Sequence, residues 1–70
     1  KMNERILRLP EVVKVTGLPR PSIYRMMKDN EFPKAINIST RSIGWLGSEV
    51  DAWIERKVKQ ARILSELRYD

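Results

Sequence analysis

The 70-residue sequence predicts a mainly α-helical domain with one small β-hairpin. Three observations carry this: an amphipathic stretch from Arg20 to Lys28, a pair of alternating apolar runs from Ile36 to Trp45, and a long face at helical spacing after Gly47. The elements expected in chain order are a helix at 10–16, a helix at 20–29, a hairpin at 35–46 and a helix at 48–67, all within one domain of residues 1–70.

The first helix is opposed by propensity, since Val12, Val13 and Val15 favour a strand. Pro10 in a first-turn position and Gly17 as a stop nevertheless form the proline-start, glycine-end signature of a helix. Gly17 then opens a turn of three or four residues, so the two helices make a helix-turn-helix. Leu18 precedes the cap of the second helix and Ile23 sits four positions into it, the spacing of a hydrophobic staple. Pro19 and Pro21 bracket the start of that helix, where amides have no intrahelical partner to lose.

At about 100° per residue, Ile23, Met26 and Met27 share one side of the second helix. Arg20, Pro21, Tyr24, Arg25 and Lys28 share another. Asp29, Asn30, Glu31 and the Phe32-Pro33 pair end it. In the hairpin, Ser39, Thr40, Arg41 and Ser42 form the turn. Because two strands alone are marginal in water, Phe32, Ile36, Ile38 and Trp45 are expected to rest partly or wholly in the core. Ser48 as cap and Asp51 three positions on suggest a capping box for the last helix. Its apolar face is Val50, Trp53, Ile54, Val58, Ala61 and Leu64, interrupted by Lys57. At 1.5 Å per residue this helix is roughly 30 Å long, more than so small a body covers, so its end with Ile63, Leu64 and Leu67 either frays or meets a partner.

Charge narrows the function. From Lys14 to Arg41 there are six basic residues against two acidic ones, +4 of the chain's net +5, whereas Ser42 to Asp70 is neutral. With a pI near 10, a basic block lying on an amphipathic helix and a hairpin is the footprint expected for a polyanion. The chain has neither Cys nor His, so a disulfide framework, a thiolate zinc site and a histidine base are excluded; this suits a cytoplasmic protein. No apolar run approaches the ~20 residues of a membrane span. The start, Lys-Met-Asn-Glu-Arg, lacks a signal-peptide core, and Lys1 before Met2 reads as a processing remnant. Glu49, Asp51 and Glu55 lie where a helix N-terminus favours negative charge, so they need no catalytic role and no enzyme is expected.

In order along the chain stand Leu9-Pro10-Glu11-Val12, Thr16-Gly17-Leu18, Ser22-Ile23-Tyr24-Arg25, Glu31-Phe32-Pro33-Lys34, Arg41-Ser42-Ile43-Gly44-Trp45 and Ser48-Glu49-Val50-Asp51-Ala52-Trp53-Ile54. With these motifs the chain resembles the AlpA-like prophage regulators, a family related to the small excisionases and to the MerR-type winged-helix domain. The resemblance runs from about Ile6 to Lys57. It implies a winged helix-turn-helix that binds double-stranded DNA, regulating mobile-element genes or serving as an architectural factor in excision. An integrase or another copy of the chain on the same DNA are further partners it allows; no membrane, metal, cofactor or small-molecule ligand is expected. Where the family usually has a capping serine this chain has Pro19, and Pro21 replaces a small polar residue. The capping bond, worth ~1 kcal/mol, is therefore replaced by proline rigidity.

On this reading Arg20, Ser22 and Arg25 lie nearest base edges, because the N-terminal part of a recognition helix enters the major groove, and Pro21 is counted among the DNA-binding residues. Arg25 is the candidate for a bidentate pair with guanine. Lys28, Thr40 and Arg41 are assigned to phosphates; Tyr24 is either a phosphate contact or a half-buried aromatic. Both tryptophans are assigned to the core. The competing reading is a protein-interaction module built on the last helix, with only weak DNA binding.

Overall fold

A computed structural model describes residues 3–68, so Lys1 and its reading as a remnant lie outside the described residues. The elements are β1 (Ile6–Leu7), α1 (Leu9–Thr16), α2 (Arg20–Lys28), β2 (Ile36–Ser39), β3 (Ser42–Leu46) and α3 (Gly47–Arg68). Relative to expectation, α1 starts one residue earlier, α2 ends one earlier, the hairpin strands begin at Ile36, and α3 gains a residue at each end.

The sequence reading of a lone hairpin needs correction. Ile6 and Leu7 pair antiparallel with Leu46 and Trp45, so β3 is the centre of a three-stranded sheet in the order β1-β3-β2. Gly44 of β3 pairs with Ile36. A methyl group on Gly44 would lie 2.5 Å from Ile6 Cγ2 and 2.7 Å from Ile38 Cδ1, so the bare glycine lets the flanking strands close over it. This register corrects the assignment of Ile36 and Ile38 to the core. They lie on the opposite face of the sheet from Trp45 and remain 39% and 42% exposed. Period-two spacing says which residues share a face; it leaves open which face is inward.

Leu7, Val12, Ile23, Phe32, Trp45, Val50 and Trp53 form the core, one or two from each of β1, α1, α2, the α2–β2 connection, β3 and α3. α1 ends as the sequence indicates: Gly17 is left-handed, with φ 75°, and its amide donates to Val13 O. Thr16 Oγ1 donates to Val12 O and accepts from Leu18 N, tightening the turn. α2 ends by a device the sequence reading did not anticipate. Asn30 adopts φ 59°, its amide bonds Met27 O, and the Glu31 amide bonds Met26 O: the Schellman pattern, with asparagine in the place glycine usually takes.

The start of α3 also departs from the capping box. Glu4, ahead of β1, accepts from both the Ser48 amide and its hydroxyl, and the Gly47 amide donates to Arg5 O. Asp51 pairs instead with Arg5. The segment before β1 therefore caps α3 from outside, supplying negative charge to the helix N-terminus. The apolar face assigned to α3 is core only for its first two turns: Val50 and Trp53 are buried, Ile54 is half-buried, and Val58, Ala61 and Leu64 are exposed.

Candidate nucleic-acid interface

Six of the eight sequence-predicted contact residues lie together on α2. Ile23 is fully buried, and Met26 and Met27 pack against the core, which fixes the rotation of the helix and turns Arg20, Pro21, Tyr24, Arg25 and Lys28 to solvent. Ser22 sits at the rim of this arc and is half-buried, its amide bonded to Pro19 O. Tyr24 is 45% exposed, which leaves both its readings, phosphate contact and half-buried aromatic, open. Among the described residues the only ion pair is Arg5 with Asp51, so Arg20, Arg25 and Lys28 are uncommitted. Pro19 is the N-cap and makes no side-chain cap bond. Its carbonyl accepts from Ser22 and Ile23 instead, and with Pro21 in the first turn little unpaired amide remains there.

The other two, Thr40 and Arg41, form the exposed turn between β2 and β3. They are on a separate element, but that element is braced against the helices. Arg8, the N-cap of α1, donates from Nε to Ile43 O at 3.1 Å. This bracing residue escaped the sequence reading, since a contact 35 positions away leaves no local signal. Two tryptophans fix the connection from α2 to β2: Trp53 Nε1 donates to Glu31 O at 2.8 Å and Trp45 Nε1 to Pro33 O at 3.1 Å. Phe32 packs edge-on against Trp53, with ring centroids 4.9 Å apart. Both rings are buried as expected, and Lys34 stands exposed in the connection they hold.

No group of His, Cys, Asp and Glu that could hold a metal is found among the described residues, and no helix there is long and apolar enough to cross a membrane. What the geometry offers is a basic face of α2 without an ion pair among the described residues, and an exposed turn between β2 and β3 on a separate element.

A family model described as prophage CP4-57 regulatory protein (AlpA) matches residues 5–58. The chain belongs to the AlpA family of prophage regulatory proteins. ORF88 of Enterobacteria phage P4 is 40% identical over 55 residues, which span 79% of this chain and 62% of the phage protein. A relative from Escherichia coli K12, the DNA-binding transcriptional activator AlpA, is 38% identical over 61 residues, covering 79% of this chain and 87% of its own length. The chain thus spans less than two thirds of the phage relative. The matched region takes in α1, α2, the sheet and the first half of α3, and it stops where α3 leaves the core.

Proposed function

We propose that the chain is a sequence-specific DNA-binding regulator of a mobile element, working as a winged helix-turn-helix in which α2 enters the major groove and the β2–β3 hairpin is the wing. The observation that carries this is the α2 surface, where Arg20, Arg25 and Lys28 face solvent without an ion-pair partner while Ile23 anchors the opposite side. A DNA-binding relative of high coverage supports it.

Arg25 reads base edges, its guanidinium suited to guanine O6 and N7; Arg20 and Ser22 lie closer to the helix start on the same side, with Pro21 between them shaping the approach. Tyr24, Lys28, Thr40 and Arg41 take phosphates and set orientation. The pinned connection and the Arg8 brace hold wing and helix in fixed relation, which limits the ordering cost of binding. In the cytoplasm such a module serves as an activator or repressor, and equally as an excision factor that bends DNA or recruits an integrase through the same surface. Selecting bound duplexes from a random library, followed by footprinting on DNA flanking its own gene, tests the reading. A recurrent motif and a protected site there are expected; failure to enrich any motif would leave only non-specific binding.

A further inference from the structure

One cation outside α2 and the hairpin turn is held in place by an uncharged group. Arg8 lies between β1 and α1, and it is exposed. β1 ends with Leu7 opposite Trp45, so the strand stops short of Ile43. The Arg8 side chain takes over there, its Nε donating to Ile43 O at 3.1 Å. That bond uses one of the five N–H donors of a guanidinium. The four on the two terminal nitrogens have no partner among the described residues, where the only ion pair is Arg5 with Asp51. Glu11, three residues on, accepts instead from the Arg8 amide at 2.9 Å. Arg8 is thus anchored and still charged.

An anchored cation suits an anion better than a free one. A long side chain carries about 2 kcal/mol of rotamer entropy, and the part already lost to the Ile43 bond is not lost again on binding. The planar fork left over matches two oxygens of a phosphate. Its place fits as well. Arg41 stands two residues before Ile43 in the chain, roughly 7 Å at ~3.4 Å per residue. A DNA strand carries one charge per ~3.4 Å of helix axis, so that separation matches phosphates about two steps apart. We propose that Arg8 is a phosphate-binding residue as well as a brace: Nε stays on Ile43 O while Nη1 and Nη2 fork onto a phosphate of the strand that Arg41 contacts. This rests on the reading of α2 and the hairpin as the DNA face and adds to it a contact from the junction of β1, α1 and β3.

Salt titrations of the full chain test it, on a duplex selected for binding and on its scrambled version. Arg8→Gln removes the charge and keeps an amide N–H that can donate to Ile43 O. Its slope of log K against log salt concentration should be shallower than that of the wild type by about 0.9 on both duplexes, with affinity lower by roughly tenfold on each. Arg8→Lys, which keeps the charge and loses the fork, should retain the wild-type slope. Parallel slopes for the wild type and Arg8→Gln would make Arg8 a brace alone, overturning the proposal and leaving the DNA reading intact; a wild type that binds no duplex at low salt overturns both. A second measurement needs no variant to fold. In the ¹⁵N-labelled wild type, the Arg8 Hη protons should resolve into separate signals when the selected duplex is added, because a forked guanidinium no longer rotates freely. Signals that stay averaged in the bound chain overturn the assignment.

Discussion

Arg25 and Arg41 are both exposed arginines without an ion-pair partner among the described residues, yet they should behave differently. With α2 docked in the major groove as proposed, Arg25→Ala should cost about 1–3 kcal/mol on the preferred duplex and relax preference at one base pair. Arg41 is at the turn between β2 and β3, and the proposal assigns it to a phosphate. Arg41→Ala should therefore weaken binding by a similar factor on every sequence, visible when both variants are titrated on a specific and a scrambled duplex. If Arg41→Ala changes base preference and Arg25→Ala does not, the wing is the reader. Glu4 gives a prediction about folding. The Ser48 hydroxyl, then the Ser48 amide, bond its charged form and hold its pKa below the ordinary 4.5. A carboxylate shifted this way adds stability above its unfolded pKa and loses it as pH falls through its lower folded value. Thermal unfolding from neutral pH to below about pH 3 should show wild type more stable than Glu4→Gln at neutrality and the gap closing under acid. A gap independent of pH would mean the carboxylate charge does not hold α3. At the residue level the exposed side of α2 was legible, because exposure there follows from which residues its apolar side leaves over. The Glu4 cap was not, because its partner lies 44 positions away.

The helices were readable from their punctuation and the sheet only in half. Gly17 and the prolines mark α1 and α2 by local conformational limits, and those limits operate in any context. β1 is two residues long and has no stop, start or alternation of its own. It exists because β3 offers an open edge and Leu7 a side chain to the core. Ile36 and Ile38 were placed inward on the same grounds that correctly paired the strands, and the fact that decides their face is Gly44. A methyl there would have to displace Ile6 and Ile38, with Leu7 O also only 3.1 Å away. Gly44→Ala should cost about 1–3 kcal/mol, the usual penalty for overpacking, as measured by chemical denaturation. An unchanged midpoint would show that the two isoleucines shift without cost and that the glycine is not needed for strand approach.

At the scale of the whole molecule, the parts divide by what they have to cover. A core built from every element except β2 positions α2, the β2–β3 hairpin is braced by Arg8, and the first half of α3 closes the core while the second extends past it. The family match stops near the same point, so the resemblance read from the sequence and the end of the packed body coincide. Length against body size made the projecting helix legible before its coordinates. What meets its end is not legible from length, because the exposure of Leu64 and Leu67 does not say what covers them.

Binding of duplex DNA by the basic face of α2 together with the hairpin turn, as proposed, is read out by its salt dependence. Arg20, Arg25, Lys28, Lys34 and Arg41 are all exposed, and each phosphate neutralised contributes about −0.9 to the slope of log K against log salt concentration, or about −4.5 if all five engage. The account predicts a steep linear fall approaching that value for one chain on its preferred duplex. An affinity indifferent to salt, or no binding to any duplex at low salt, would contradict it.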